Sequence, residues 1–256
     1  MTGDVEFDHI APVYDETRQP PSEEELHALT QLLHDCRTVL DAGVGTGRFA
    51  VPLGSRGFAI VGVDLSLGMM GRARAKGVAA LVRANVVRLP LADRAVDASF
   101  MAHVLQLIPE PRAVLRELGR VARRRVVVQL PRWFEHGPSS PWRERRTRYR
   151  EIAAELGYAL PERGPRYWHS VEELSEIARP TEVRVVTRPL LEGEPSEERA
   201  ARWAAEMLGG GRIPPEVHAE ILRRLRVEFP QDASWRRRPR TSRFIVWNAP
   251  RLAERA

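Results

Sequence analysis

Three glycines at alternate positions stand between an apolar strand pattern and a helix pattern. The run Asp41-Ala-Gly-Val-Gly-Thr-Gly47 follows the apolar stretch Thr38–Leu40. Glycine permits positive φ angles, and a glycine-rich turn between a strand and a helix lays backbone N–H groups against a bound small molecule. A dinucleotide-binding loop would carry its third glycine at position 48, which is occupied by Arg48. The spacing therefore predicts a loop for a different adenosine cofactor.

An acidic residue at the end of the next apolar run is the second candidate for ligand binding. The stretch Phe58–Val63 predicts a buried parallel strand, and Asp64 follows it directly. A carboxylate roughly 20 residues after a glycine loop, at the end of the next strand, is placed to bind the hydroxyls of an unphosphorylated ribose. The alternative is that Asp64 only caps the following helix, but Ser66 already supplies a cap there.

Four landmarks in the same order resemble class I S-adenosylmethionine-dependent methyltransferases. They are Phe7–Asp15, Asp41–Gly47, Val63–Ser66 with Met69 and Met70, and Leu89–Asp93 followed by Val96–Phe100. The first and last of them are similar to the type 11 and ubiquinone/menaquinone-biosynthesis-like small-molecule subgroup. The resemblance covers about residues 5–131. It implies a Rossmann-like methyltransferase fold, which is a doubly wound, mostly parallel seven-stranded α/β sheet whose last two strands are antiparallel.

The resemblance also implies S-adenosylmethionine as the cofactor and assigns it a set of residues. On the methionine side these are Gly43, Gly45, Gly47, Asp41 at the ammonium, the backbone carbonyl of Met101 and a covering Tyr14. On the nucleoside side they are Asp64 at the ribose, Leu65 and Met69 flanking the adenine, and Asn85 with Val86 at its amino group. Asn85 stands where many relatives have aspartate, and its amide oxygen can accept the same hydrogen bond.

His103 is the candidate general base. It follows the predicted strand Val96–Met101 by two residues, and an imidazole there could accept a proton from an oxygen or nitrogen nucleophile. The alternative is a histidine at a helix start that bonds to the backbone. His9 and His169 could also reach the site from segments outside the core. Because methyl transfer can rely on orientation alone, the reaction does not require a dedicated base.

Strand and helix patterns alternate through residue 131, as in a doubly wound parallel sheet. We predict a cofactor-binding core with an N-terminal helix over residues 1–131. Residues 132–256 are predicted to form a mainly helical lid insertion and the last two strands, at about 182–188 and 242–247. Helix patterns in that half lie at 144–156, 171–178, 196–208 and 215–228.

Aromatic and basic residues are concentrated after residue 131. The aromatic set is Trp133, Phe134, Trp142, Tyr167 and Trp168, which either line an aromatic substrate pocket or form a small core that fastens the lid. The stretch Arg143–Arg150 contains five arginines in eight residues, and Arg236–Arg240 forms a second cluster. A solvated helix face is the expected role of the first cluster; otherwise an acidic substrate or RNA phosphate would be the partner.

Composition limits the setting in which the chain works. The net charge is +6, and only Lys76 of the 40 basic residues is a lysine, a skew that a GC-rich coding sequence can produce. The single cysteine, Cys36, excludes an internal disulfide and a cysteine-based zinc site, and it suits the reducing cytoplasm. The sequence has no secretion signal and no run of ~18 apolar residues, so we expect a cytoplasmic protein without a membrane or metal partner.

The leading hypothesis is a methyltransferase that acts on O, N or C of a small-molecule metabolite of aromatic or acidic character. One alternative is an RNA methyltransferase, but the chain lacks the Asn/Asp-Pro-Pro-Tyr/Phe motif and any appended RNA-binding module, so we expect no nucleic-acid partner. Another is a non-catalytic S-adenosylmethionine-binding regulatory or partner protein. We expect a monomer or homodimer.

Overall fold

Seven strands form one sheet in the part of the chain that the structure describes. The structure is a computed structural model that describes residues 7–8, 10–12, 14–18, 20–130, 141–160, 167, 169–188, 213–229 and 240–256. The strands are β1 Thr38–Ala42, β2 Ala59–Asp64, β3 Ala80–Arg83, β4 Val96–Ala102, β5 Ala122–Leu130, β6 Glu182–Arg188 and β7 Arg240–Asn248. Their order is β3-β2-β1-β4-β5-β7-β6. β1 to β5 are parallel, and β7 is antiparallel to both of its neighbours, which confirms the expected sheet.

Two of the helices begin at serine caps that the sequence marks, Ser22 and Ser66. The helices are α1 Tyr14–Thr17, α2 Glu23–Leu32, α3 Ala50–Gly54, α4 Leu67–Ala75, α5 Pro111–Val121, α6 Pro141–Glu155, α7 Val171–Ile177, α8 Pro215–Glu228 and α9 Ala249–Arg255. Ser22 and Glu25 form a capping box at α2, and the Ser66 side chain accepts from the N–H of Met69 at α4. The helix predicted at 196–208 lies outside the described residues.

Helices cover both faces of the sheet, so the central strands are apolar on both sides. Along β5, Val126 and Val128 point to one face, where they pack with Leu115 of α5 and Leu252 of α9. Val127 points to the other face, where α2 and α3 supply the cover. Because parallel strands share a direction, β1, β2 and β4 all end at one edge of the sheet, and the candidate site residues lie there.

The C-terminal strand lies inside the sheet. β7 pairs with β5 from Arg125–Asn248 to Leu130–Arg243, and β6 is the edge strand beyond it. α9 then packs on α5 so closely that a Cβ added at Gly119 would lie 2.9 Å from the backbone nitrogen of Ala253.

α6 and α8 pack against each other around a separate apolar cluster that includes Ile152 and Ile221. Within it, the Tyr149 hydroxyl is 2.8 Å from Nδ1 of His218. Arg148, one of the arginines in the 143–150 run, forms an ion pair with Glu228 at 2.6 Å. No helix in the described part of the chain is both long and apolar enough to cross a bilayer.

Candidate active site

The glycine loop after β1 adopts the backbone conformation that its three glycines permit. Gly43, Gly45 and Gly47 have φ angles of 86°, 53° and 82°, in the left-handed region. The N–H of Gly43 donates to the Val63 carbonyl at 2.7 Å, so the loop is bonded to the end of β2. A Cβ added at Gly45 would meet no atom within 4 Å, which leaves the outer side of the loop open to a ligand.

Asp64 bonds to the glycine loop through its carboxylate. Oδ2 accepts from the Gly45 N–H at 2.8 Å, and Oδ1 accepts from the Ser66 N–H at 2.9 Å. Burial and the negative charge of Asp8 raise the Asp64 pKa, whereas hydrogen bonds from Ser66 and Gly45 oppose the rise. Each carboxylate oxygen has a second lone pair, so the group can still accept hydrogen bonds from ribose hydroxyls.

Asp41 is the most perturbed carboxylate at this edge. It is 3% exposed, and its carboxylate accepts a hydrogen bond from the backbone N–H of Ala50 at the start of α3. Burial, with the negative charge of Asp64, raises the Asp41 pKa to about 7. Such a carboxyl gains its full charge when a cation comes close, as the ammonium of an amino-acid ligand would.

The N-terminal segment lies against α4 beside the loop. Tyr14 belongs to a small apolar cluster with Met69, and the Arg18 guanidinium lies over the Tyr14 ring at 5.1 Å. Asp8 accepts hydrogen bonds from the Ser66 hydroxyl and the Gly68 N–H. This segment therefore contacts the element that follows Asp64.

Residues predicted at the adenine differ in their exposure. Leu65 is 46% exposed, whereas Met69 is buried in the cluster around Tyr14. Asn85 is exposed, and its side-chain oxygen accepts from the Val87 N–H at 3.1 Å. Val86 is buried in the main core. Of these four residues, Leu65 and Asn85 are therefore the two whose side chains an adenine ring could reach.

His103 directly follows β4, which extends to Ala102, one residue beyond its predicted end. Its φ angle is 58°, which is uncommon for a residue with a side chain, and its carbonyl accepts from Gln106 Nε2 at 2.7 Å. Burial, and then the charges of Arg48 and Arg18, lower the His103 pKa well below its usual value. The imidazole is therefore neutral at pH 7. Met101, two residues before it, is fully buried in β4.

Arg18 and Arg48 are functional candidates that the sequence reasoning missed. Both charges act on the His103 ring, although Arg18 follows α1 and Arg48 belongs to the glycine loop. Their positions in the sequence could have identified them, because Arg48 comes directly after Gly47 and Arg18 lies one helical turn after Tyr14. The edge of the sheet thus has acidic groups at Asp41 and Asp64 and basic groups beside His103.

Two glutamine amides at this edge were also missed. Gln106 and Gln129 are buried, and the side-chain oxygen of each accepts no hydrogen bond within the described part of the chain. Gln129 Nε2 donates to Glu25 at 2.9 Å, and Gln129 lies opposite Ala102 in the β4–β5 register. A buried carbonyl without a donor costs roughly 1–3 kcal/mol, so these oxygens could accept from a bound molecule.

His169 is an anchor and has no free ring nitrogen for a base. Its Nε2 is 2.8 Å from the Ile108 carbonyl, and its Nδ1 is 3.1 Å from Glu173. Tyr167 stacks on the His169 ring, and its N–H donates to the Gln106 carbonyl at 2.9 Å. Several other predicted site residues lie outside the described part of the chain: His9, Trp133, Phe134, Trp168 and the side chain of Trp142. The basic cluster Arg236–Arg240 also lies outside it, apart from the backbone of Arg240.

Comparison with known proteins agrees with this geometry. A family model described as a methyltransferase domain matches residues 40–128. The demethylmenaquinone methyltransferase of Paenarthrobacter aurescens is 30% identical over 154 residues, which cover 56% of this chain and 59% of that protein. The chain thus spans about three fifths of the length of this curated relative.

Solved structures show the same architecture. An S-adenosylmethionine-dependent methyltransferase from Thermotoga maritima is 25% identical, with a TM-score of 0.54 and coverage of 75% of this chain and 88% of that chain. The magnesium protoporphyrin IX methyltransferase of Synechocystis with bound S-adenosylhomocysteine shares the fold at 14% identity, with a TM-score of 0.51 and coverage of 94% and 93%.

The sheet order, the left-handed glycine loop and the position of Asp64 are those of the class I S-adenosylmethionine-dependent methyltransferase family. Residues 40–128 match the methyltransferase-domain model, and the curated relatives include demethylmenaquinone methyltransferases, in line with the menaquinone-type resemblance. The cofactor is S-adenosylmethionine. The open side of Gly45, the remaining acceptor sites of Asp64 and the buried charge of Asp41 fit this molecule.

Proposed function

We propose that this protein transfers a methyl group to O, N or C of a small-molecule acceptor, with His103 as the proton acceptor. The observation that carries the proposal is the position of His103 directly after β4, on the same sheet edge as the glycine loop. Its lowered pKa keeps the imidazole neutral. A neutral ring can accept a proton at pH 7, whereas a charged ring cannot.

Different residues of the cofactor site are proposed to bind different parts of the cofactor and to orient it. When bound, the cofactor supplies a methyl group on a sulfonium. Asp64 would hold the ribose hydroxyls and Asp41 the ammonium. The glycine loop and Tyr14 would hold the methionine portion. This fixed orientation accounts for much of the rate, because proximity alone supplies ~7–11 kcal/mol of a barrier.

The acceptor is proposed to be aromatic or acidic. The positive charges of Arg18 and Arg48 act on the His103 ring, which favours a negatively charged group there. The unpartnered oxygens of Gln106 and Gln129 favour an N–H or O–H donor on the same molecule. Acceptor and base would then meet at the carboxyl end of β4.

We also propose that residues 132–256 supply the cover of the site as well as β6 and β7. The packing of α6 on α8 around their own apolar cluster supports a lid that folds as a unit. Tyr167 and His169 attach the segment between α6 and α7 to Gln106 and Ile108, close in sequence to His103.

The test measures binding and turnover separately. Calorimetric titration with S-adenosylmethionine and S-adenosylhomocysteine, with NADH as the control, should give micromolar dissociation constants for the first two ligands only. Transfer of a labelled methyl group to a panel of phenols, carboxylic acids and amines should then identify an acceptor. Transfer that depends on added tRNA or rRNA would instead support an RNA methyltransferase. Binding without transfer to any acceptor would support a non-catalytic regulatory or partner protein.

A further inference from the structure

Lys76, the only lysine in a chain with 40 basic residues, contacts two different elements of the cofactor site. It lies at the C-terminal end of α4, and its Nζ is 2.6 Å from Asp15 Oδ2 in α1. The same Nζ donates to the Thr46 carbonyl in the glycine loop at 2.9 Å. A compact ammonium can point separate donors at a carboxylate and a carbonyl, whereas a guanidinium presents its donors in a planar fork.

Asp15 closes the contact between the same three elements. Its Oδ1 accepts from the Thr46 hydroxyl at 2.6 Å, and Arg72 of α4 lies 3.7 Å from its Oδ2. Hydrogen bonds from Lys76 and Thr46 and the charges of Lys76 and Arg72 lower the Asp15 pKa against the opposing effect of burial. Asp15 is therefore ionised at neutral pH, with Oδ1 hydrogen-bonded to Thr46 and Oδ2 paired with the charge of Lys76.

Thr46 transmits these contacts to the loop. It is 1% exposed and lies between Gly45 and Gly47, two of the three loop glycines, which all have left-handed φ angles. The Thr46 carbonyl and the Gly47 N–H belong to one peptide group, and that N–H donates to the Val44 carbonyl at 2.9 Å. Lys76 and Val44 thus hold the same peptide plane from opposite ends. Through Asp15, docked α1 thus adds to the bonds that hold the loop to the end of β2 and to Lys76.

We propose that Asp15 and Lys76 are positioning residues which couple docking of the N-terminal segment to cofactor binding through Thr46. This inference rests on the cofactor site of the proposed function. The coupling has a direct physical reason, because α1 also carries Tyr14, which contacts the cluster around Met69 beside the loop. A ligand that binds the ordered loop therefore stabilises the docked segment by the same free energy by which docking favours the ligand.

The first experiment is a double-mutant cycle on the affinity for S-adenosylhomocysteine, measured by calorimetry with Asp15→Asn, Lys76→Met and the pair. Each single change should weaken binding by about tenfold, and the pair by no more than about tenfold, because either change breaks the same contact. Asp35→Asn is the matched control: Asp35 also forms ion pairs with two cationic residues, Arg124 and Arg125, and its side chain is 33% exposed against 30% for Asp15. The control should bind as the wild type does.

Hydrogen exchange supplies a readout that does not depend on affinity. Without ligand, Asp15→Asn should speed amide exchange in residues 14–18 and 43–47, and Asp35→Asn should not. Multiplicative losses in the cycle, or unchanged exchange in both segments, would overturn the proposal. If the wild type failed to bind S-adenosylhomocysteine, the proposed function would fail, and the exchange rates would still decide whether the two segments are coupled.

The single lysine permits a second test on the unmutated chain. Amine-selective acetylation removes the charge of Lys76 and modifies otherwise only the α-amino group. Acetylated wild type should bind S-adenosylhomocysteine about tenfold more weakly than untreated protein. Lys76→Arg, treated in the same way, should show no change on treatment. Equal affinity of treated and untreated wild type would contradict the proposed role of Lys76.

Discussion

The side chain of Val104 covers Gly43 so closely that a Cβ added at Gly43 would lie 2.1 Å from its Cγ2. Val104 follows His103, so this contact joins the end of β4 to the glycine loop. Gly43 also has a φ angle of 86°, which a side chain disfavours. We expect Gly43→Ala to destabilise the protein by roughly 2–4 kcal/mol and to abolish binding of S-adenosylhomocysteine.

A second substitution separates the clash from the backbone strain. In Gly43→Ala/Val104→Ala the clash is removed and the positive φ angle remains, so denaturant unfolding should show recovery of part of the stability. Gly57→Ala is the comparison, because Gly57 has a φ angle of 91° but a Cβ there would meet no atom within 4 Å. If Gly43→Ala cost no more than Gly57→Ala, the packing of Val104 would have no energetic role.

Asp41→Asn should stabilise the protein without ligand and weaken cofactor binding. The folded-state pKa of about 7 lies above the ordinary value, so the folded protein holds a proton that the unfolded chain loses near pH 4. Stability is therefore lost as the pH rises from about 4 to 7, and the neutral amide of the variant avoids that loss. At pH 8 the variant should gain about 2 kcal/mol, or roughly 4–8 °C in Tm.

Two measurements check the sign of this effect. The difference in Tm between Asp41→Asn and the wild type should be larger at pH 8 than at pH 5. The affinity of the wild type for S-adenosylhomocysteine should rise between pH 6 and 8, as Asp41 ionises to face the ammonium. An equal Tm difference at both pH values would mean that Asp41 does not titrate between pH 5 and 8.

His103→Asn is expected to lower kcat by about 10²–10⁴ while the dissociation constant of S-adenosylhomocysteine changes by less than about threefold. Asparagine tolerates the left-handed φ angle of 58° better than most residues, so it removes the imidazole with little backbone strain. Because the His103 pKa lies well below 6.5, the wild-type kcat should show no titration of this ring between pH 6 and 8. Turnover of the variant at the wild-type rate would mean that methyl transfer needs no base at His103 and depends on orientation alone.

Asp97 should contribute stability that acid removes. Its Oδ2 accepts from the N–H groups of Arg37 and Thr38, each at 2.9 Å, and these bonds lower the Asp97 pKa to about 2. The contribution is present above about pH 4 and is lost as the pH falls towards 2. Asp97→Asn should therefore cost about 2 kcal/mol at pH 7 and almost nothing at pH 2, measured by urea unfolding. A difference that persists at pH 2 would assign the effect to packing.

Features with a local sequence signal were predictable. The left-handed turns at Gly43, Gly45 and Gly47 follow from the residue type itself, because glycine alone lacks the Cβ that disfavours them. The capping box of Ser22 and Glu25 has a fixed spacing, and the structure confirms it. The end of β2 at Asp64 could be found because a buried apolar run stops there.

Contacts between distant parts of the chain were not predictable from pattern. Asp15 and Thr46 are 31 residues apart, and Gln129 and Glu25 are 104 residues apart. No periodicity in the sequence marks either contact, and each exists only because the sheet brings the elements together. The start of β5 at Ala122 is also not marked by hydrophobicity, because arginines continue the strand at its exposed end.

The location of β7 between β5 and β6 determines how the sheet can be completed during translation. When β6 leaves the ribosome, its one neighbour among the described strands has not been synthesised, because β7 begins at Arg240. Until then the edge of β5 is open as well. Open strand edges on a nascent chain are sites of aggregation. The synthesis of residues 189–239 therefore lengthens the period in which the edges of β5 and β6 are open.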